Sequence, residues 1–178
     1  GLSGLPTQFI DLDKKLGGLH PSDLIILAGR PSMGKTSLAT NIAFNAAKQS
    51  VRDATTKNIV GFFSLEMSSE QLATRILSEQ CEIASEQIRR GDLKEDEFKR
   101  FVEAAHDLES MPLYIDDTPA LSISELASRA RRLKRTDGLD LLIVDYLQLI
   151  RGSSFKDNRV NEVSEITQGL KAIAKDLN

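Results

Sequence analysis

The sequence predicts an α/β fold in which helices cover both faces of a mostly parallel β-sheet. Largely apolar runs at 24–28, 59–65 and 141–144 have the length expected of strands that are buried on both faces. Between these runs, apolar residues recur every three or four positions, which is typical of amphipathic helices. Strands that alternate with helices in this way favour parallel pairing through right-handed crossovers.

The same patterns predict the remaining elements in chain order. A first helix is expected over 36–48, and a second begins at a capping box formed by Ser68 and Gln71. Three further helices are expected over 93–108, from Ser122 or Ser124 to 135, and over 160–177. A short strand is expected at 113–115, and loops or turns at 49–58, 89–92 and 151–158.

Two of these helices carry clear apolar faces. The helix over 93–108 groups four apolar residues, which makes it amphipathic: Phe98, Phe101, Val102 and Ala105. The helix that follows buries Ile123, Leu126, Ala130 and Leu133. Its outward positions form a basic cluster of Arg129, Arg131, Arg132, Lys134 and Arg135. Such a cluster is either a solvated face or a phosphate-binding surface.

Composition limits the functional classes. The chain has 178 residues, a net charge of −3 and a pI of about 5.5, so the overall basic character of many nucleic-acid-binding domains is absent. DNA could still bind through local loops. The single cysteine, Cys81, cannot form an internal disulfide and is expected to fill the core, which favours a reducing, cytoplasmic setting. No apolar run approaches the roughly 18 residues of a membrane helix.

The length predicts one domain over residues 1–178. The last predicted element is a helix, after which the alternating pattern should continue with a strand. We therefore expect the domain to be partial and its sheet to lack its last strands.

A glycine-rich loop joins the first strand to the first helix. The loop has the pattern G-x-x-x-x-G-K-[ST] and consists of Gly29, Arg30, Pro31, Ser32, Met33, Gly34, Lys35 and Thr36. Backbone N–H groups from Gly29 to Ser37 and the helix N-terminus are expected to bind the phosphates of a nucleotide. Lys35 should reach the β- and γ-phosphates, and the Thr36 hydroxyl should bind Mg²⁺.

Two carboxylates are candidates for the chemistry. Asp145 follows the apolar run 141–144, and ligands of open α/β sheets collect at the carboxyl ends of such strands, so it can hold Mg²⁺. Glu66 follows the strand 59–65 and would face the γ-phosphate if that strand neighbours the one ending at Asp145. Its spacing fits equally well a solvated acid at the start of a helix.

Several strings resemble the DnaB-type replicative DNA helicases, whose motor domain has a RecA-like fold. They are Gly17-Gly18-Leu19, GRPSMGKT at 29–36, FSLEMS at 63–68, IRRG at 88–91, ARRL at 130–133 and DYLQL at 145–149. The similarity extends over nearly the whole chain. The SLEMS and DYLQL strings make it more specific than the phosphate loop alone.

The resemblance implies an ATP-hydrolysing homo-hexamer that moves on single-stranded DNA and contacts a primase and a helicase loader. It assigns Lys35 and Thr36 to the phosphate loop, Asp145 to Mg²⁺ and Glu66 to activation of the attacking water. The family's phosphate-sensing glutamine and its arginine finger would follow Asn178. The strand with that glutamine would lie between the phosphate-loop strand and the Asp145 strand. We therefore expect a gap at the centre of the sheet and an isolated chain that is unstable and nearly inactive.

Other interpretations remain open. Arg151, Lys156 and Arg159 lie in a polar loop that the resemblance directs toward the central channel, where they would contact DNA; a solvated loop is the alternative. A recombinase or branch-migration ATPase, or a nucleotide-binding assembly module that does not hydrolyse, would also carry a phosphate loop. The SLEMS and DYLQL strings favour the helicase.

Overall fold

The computed structural model describes residues 23–27, 33–52 and 58–145. Four strands and five helices occur in these ranges. The strands are β1 Asp23–Leu27, β2 Val60–Ser64, β3 Leu113–Asp116 and β4 Leu141–Asp145. The helices are α1 Met33–Arg52, α2 Ser69–Cys81, α3 Ser85–Arg90, α4 Glu95–Ser110 and α5 Ile123–Thr136.

The described strands form one parallel sheet in the order β1-β4-β2-β3. Strand β4 lies between β1 and β2, and its last residue, Asp145, pairs with Leu27 on one side and Ser64 on the other. The carboxyl ends of three strands therefore meet at one edge of the sheet, where α/β proteins place their ligands.

Both faces of the sheet are covered, as predicted. Leu141 and Ile143 of β4 face a core cluster that includes residues of α1 and α2. Leu142 and Val144 alternate with them and face a second cluster, which includes Leu126 of α5. This period-two alternation of wholly apolar residues explains why the β4 sequence contains no polar residue before Asp145.

Direct pairing of β1 with β4 corrects one expectation. The register runs without interruption from Asp23 opposite Leu141 to Leu27 opposite Asp145, so the described sheet has no central gap. The physical reason is that two strand edges with unpaired N–H and C=O groups satisfy each other when they come together.

Three local differences from the sequence prediction are informative. The helix α1 continues to Arg52, so 49–52 is helical where a loop was expected. The short helix α3 was not predicted; it ends at Gly91, whose φ of +70° suits a helix terminus. The apolar face predicted for α4 is not buried, since Phe98 is 56% exposed and Val102 is 47% exposed. The helix predicted over 160–177 lies outside the described residues.

Candidate nucleotide and magnesium site

Thr36 and Asp145 come together at the carboxyl edge of the sheet. Thr36 lies in the first turn of α1 and Asp145 ends β4. The Thr36 hydroxyl donates a hydrogen bond to Oδ2 of Asp145 at 3.3 Å, and Asp145 is buried. Two residues 109 positions apart in the sequence are therefore in contact at the point where the phosphate loop enters its helix.

This pair of oxygens fits Mg²⁺. The ion prefers hard oxygen ligands at about 2.0–2.1 Å in an octahedron, in which neighbouring ligands lie about 3 Å apart. A hydroxyl and a carboxylate oxygen 3.3 Å apart match this spacing with little movement. No group of three or more His, Cys, Asp or Glu side chains suited to a metal occurs in 23–27, 33–52 or 58–145. An ion here would thus need phosphate oxygens or water to complete its shell.

The turn that carries Glu66 is anchored to the same strand end. The Leu65 amide donates to the carbonyl of Asp145 at 2.7 Å. The Ser64 hydroxyl accepts from the Met67 amide at 3.1 Å and donates to the Met67 carbonyl at 2.8 Å. Glu66 lies between these anchors and is exposed. The sequence-based condition for Glu66, that β2 neighbours β4, is therefore met.

Helix α2 begins directly after this turn. Ser68 accepts at its hydroxyl from the Gln71 amide at 3.1 Å, and the Gln71 side chain accepts from the Ser68 amide at 2.9 Å. The predicted capping box is confirmed. The Ser69 amide donates to Asp117 at 2.7 Å. The start of α2 is thus attached to the segment that directly follows β3.

The other predicted site residues are described only in part. Gly34 is exposed, and a Cβ there would meet no atom within 4 Å, which leaves its backbone accessible. The side chains of Met33 and Lys35 lie outside the described atoms, as do all of Gly29, Arg30, Pro31 and Ser32. The proposed DNA contacts Arg151, Lys156 and Arg159 also lie outside the described residues.

One contact at the phosphate-loop helix was not predicted from the sequence. The Ser37 hydroxyl accepts a hydrogen bond from Nη1 of Arg75 in α2 at 3.2 Å. A signal was present, since Arg75 lies beside the buried positions Leu72 and Ile76 on the same helix. A charged residue at such a position is half-buried and requires a partner, but the sequence does not identify which one.

The basic cluster on α5 is largely exposed, and Arg129 within it forms an ion pair. Arg129 donates to Oδ2 of Asp116 at 2.8 Å and to the Thr118 hydroxyl at 2.8 Å. Burial raises the pKa of Asp116, but hydrogen bonds from Arg129 and Thr118 outweigh it and hold that pKa below its usual range. The inward residues Leu126 and Ala130 are buried as predicted.

Comparison with known proteins identifies the family. The profile described as DnaB-like helicase C terminal domain matches residues 4–178, which is nearly the whole chain. The chain belongs to this family. The predicted resemblance of the chain to the DnaB-type helicases is thereby confirmed.

Named members of the DnaB-like family are close in sequence and in fold. The replicative DNA helicase DnaB of Rickettsia prowazekii is 58% identical over 179 aligned positions, which cover 98% of this chain and 37% of that protein. A solved DnaB-like replicative helicase, described with its interactions with primase, has a TM-score of 0.85 at 28% identity; the match covers 99% of this chain and 42% of the other. A second solved structure, described as an ATPase domain, has a TM-score of 0.86 at 28% identity, with 99% of this chain and 61% of the other covered.

These matches confirm the RecA-like α/β fold that the sequence predicted. The chain spans little more than a third of the length of the Rickettsia relative. In the described part of the chain, no helix is both long enough and apolar enough to cross a membrane.

Proposed function

We propose that this chain is the ATP-hydrolysing motor of a replicative DNA helicase. The observation that carries the proposal is the contact between Thr36 and Asp145, because it brings the end of the phosphate loop to a carboxylate at the ligand-binding edge of the sheet. Membership of the DnaB-like family supports the same activity, since its named relatives are replicative DNA helicases.

Each residue has a distinct role in the proposed reaction. Backbone N–H groups from Gly29 to Ser37 and the Lys35 ammonium would bind the ATP phosphates. Thr36 and Asp145 would hold Mg²⁺, which when bound neutralises charge on the β- and γ-phosphates. Glu66 would accept a proton from the attacking water, a role that contributes about 10² to 10⁴ in rate.

The positions of the two carboxylates suit different roles. Asp145 is buried and its Oδ2 accepts from the Thr36 hydroxyl, so the carboxylate is held beside the phosphate-loop helix. Glu66 is exposed on a turn whose backbone is fixed at Leu65 and Met67, so its side chain can rotate toward a substrate. A fixed metal ligand and a movable base beside it are the two groups that hydrolysis of a terminal phosphate needs.

The wider assembly belongs to the same proposal. By family resemblance, the full-length protein would be a cytoplasmic homo-hexamer that encircles single-stranded DNA and contacts a primase and a loader. Arg151, Lys156 and Arg159 would contact DNA in the channel. Cys81, a buried free thiol in the described structure, fits the reducing cytoplasm.

Glu66→Gln in the full-length protein tests the proposal. We expect ATP turnover and strand displacement to fall by at least about 10²-fold, with affinity for Mg-ATP retained, because the amide cannot accept the proton. Glu70→Gln is the matched control, since Glu70 is also exposed and lies four residues further along.

Three results would contradict the proposal. Turnover unchanged by Glu66→Gln would remove Glu66 from the mechanism. Wild-type protein that binds Mg-ATP without turnover would indicate an assembly module. Turnover without strand displacement would indicate another ATPase of this fold, such as a recombinase.

A further inference from the structure

A polar cluster joins the phosphate-loop helix to the helix that follows Glu66. Ser37 of α1 accepts at its hydroxyl from Arg75 of α2 at 3.2 Å. Glu79, one turn beyond Arg75, lies near the same part of α1, where the polar side chains of Ser37, Asn41 and Thr40 act to lower its pKa. Two consecutive residues of α1 thus contact different elements: Thr36 contacts Asp145 at the end of β4, and Ser37 contacts Arg75 of α2.

The α1 side of this cluster is well ordered by its own hydrogen bonds. The Ser37 carbonyl accepts from the Thr40 hydroxyl at 3.0 Å and from the Asn41 side chain at 2.8 Å. Thr40 is buried. The backbone that carries the Ser37 hydroxyl is therefore held by side-chain bonds in the first two turns of α1.

Charged groups in this interface carry a desolvation cost. Burial raises the pKa of Glu79, and hydrogen bonding with Ser37 and the charge of Arg75 only partly offset that effect. Both helices also contribute to an apolar cluster that includes Ile42, Leu72 and Ile76. Apolar side chains could pack between α1 and α2 without this desolvation cost. Packing alone therefore does not explain why Arg75 and Glu79 lie in this interface.

The position of Arg75 relative to the candidate site explains why charged residues lie in this interface. Helix α2 is rigidly capped at Ser68, directly after the Glu66 turn. That turn is attached to Asp145 through the Leu65 amide. The contact from Arg75 to Ser37 therefore connects two parts of the candidate site. It joins α2, the helix that follows Glu66, to Ser37, the residue that follows Thr36.

We propose that Arg75 is a positioning residue, which sets the placement of Glu66 relative to the phosphate loop by holding α2 against Ser37. The inference rests on the proposed function, because it takes Glu66 as the base. Arg75 itself would touch neither nucleotide nor water. Glu79 would keep the guanidinium directed at Ser37 and limit the cost of placing it there.

The test combines Arg75 and Glu66 variants in the full-length protein. Arg75→Ala and Arg75→Lys are made in the wild-type and in the Glu66→Gln background. For each protein kcat and KM for ATP, the dissociation constant of a fluorescent ATP analogue with Mg²⁺, and Tm are measured. Arg89→Ala is the control, because Arg89 is an exposed arginine of α3 that is paired only with Glu86 among the described residues.

A positioning role predicts a specific pattern. Arg75→Ala should lower kcat about tenfold and change analogue affinity less than about threefold, since misplacement of a catalytic group affects the transition state more than binding. Arg75→Lys keeps the charge and the stem but loses the planar fork, so its kcat should lie between those of wild type and Arg75→Ala. In the Glu66→Gln background, Arg75→Ala should reduce the residual turnover less than about twofold.

Five outcomes overturn the inference, the last of them when Arg75→Ala does not fold. An equal loss of kcat in both backgrounds means that Arg75 acts independently of Glu66. Analogue affinity that falls in parallel with kcat means that the phosphate loop itself is disturbed. If Arg75→Ala keeps the wild-type kcat while Glu66→Gln is inactive, Arg75 has no positioning role but the proposed function stands. Wild-type turnover in Glu66→Gln removes the base and the positioning role together. If Arg75→Ala does not fold, Arg75→Lys becomes the test variant. A kcat of Arg75→Lys equal to that of the wild type would then overturn the inference.

Discussion

At the scale of single residues, the site depends on side chains that bond to backbone groups. Thr36 and Asp145 contact each other directly, but the turn beside them is held by the Ser64 hydroxyl, which bonds to both polar backbone groups of Met67. Ser64 is buried. Its hydroxyl therefore satisfies groups that water reaches poorly, and the shape of the Glu66 turn depends on it.

Ser64→Ala should both destabilise the protein and slow turnover. Loss of two hydrogen bonds at a buried position should lower the free energy of unfolding by about 1–3 kcal/mol. It should lower kcat for ATP with little change in KM, because Glu66 loses its fixed backbone. Urea unfolding and steady-state turnover measure the two effects. Ser110→Ala, which removes an exposed hydroxyl bonded to the Asp107 carbonyl, is the control. Wild-type kcat in Ser64→Ala would show that the turn keeps its shape without this hydroxyl.

At this scale, the sequence predicted the contacts between residues that belong to recognisable motifs. The phosphate-loop pattern and the apolar run before Asp145 indicated that Thr36 and Asp145 would meet, and they do. The contacts of Ser37 with Arg75 and of the Leu65 amide with Asp145 were not predicted. Each joins distant chain segments through groups that have many possible partners, so only the packed fold selects one.

At the scale of elements, Gly61 sets how closely α5 approaches the sheet. A Cβ at this position in β2 would lie 3.1 Å from side-chain carbons of both Leu133 and Leu139. Gly61→Ala should therefore cost about 1–2 kcal/mol of unfolding free energy, since crowding in a packed core outweighs the stabilisation that alanine gives by lowering the entropy of the unfolded chain. Urea unfolding measures it. Adding Leu133→Ala should recover part of the crowding cost, and strictly additive losses would argue against this explanation.

The ion pair of Asp116 and Arg129 ties β3 to α5 and should depend on pH. The pKa of Asp116 is lowered in the folded state, so the pair stabilises the fold above the ordinary pKa of aspartate, about 3.9, and this contribution is lost as pH falls through the folded pKa. Because both side chains are partly exposed, Arg129→Ala should cost only about 0.5–1 kcal/mol at pH 7.

The pH series checks the assignment of that pair. The difference in unfolding free energy between wild type and Arg129→Ala should shrink as pH falls below the ordinary pKa of aspartate, about 3.9, whereas Arg135→Ala, an exposed change on the same helix, should give a difference that does not vary over the same range. A difference for Arg129→Ala that is independent of pH would assign its effect to the bond with Thr118 instead.

The elements themselves were largely predictable, but their ends were not. Buried strands and the capping box at Ser68 depend on local patterns, and they were found where expected. The short helix α3 has no buried residue and thus no apolar periodicity to reveal it. In α4 the apolar residues do share one face of the helix, yet Phe98 and Val102 are exposed. The spacing of apolar residues predicts a shared face but does not predict which element covers it.

At the scale of the whole molecule, the order β1-β4-β2-β3 assembles the candidate site. Strand β4 in the middle places Asp145 between the end of β1, which leads to the phosphate loop, and the end of β2, which leads to Glu66. The fold class followed from alternating strands and helices. Strand order did not, since the expected central gap is wrong for the described sheet, and pairing of distant strands leaves no local signal in the sequence.

The central claim is that Thr36 and Asp145 together bind the magnesium of a bound nucleotide, and the most direct test is the magnesium dependence of ATP affinity. Calorimetric titration of the full-length protein with ATP would be performed with Mg²⁺ and with EDTA, in wild type, Thr36→Ala and Asp145→Asn. We predict that Mg²⁺ tightens binding at least about tenfold in wild type and less than about threefold in either variant, because each loses a metal ligand. The same gain from Mg²⁺ in all three proteins, or no gain in wild type, would contradict the account.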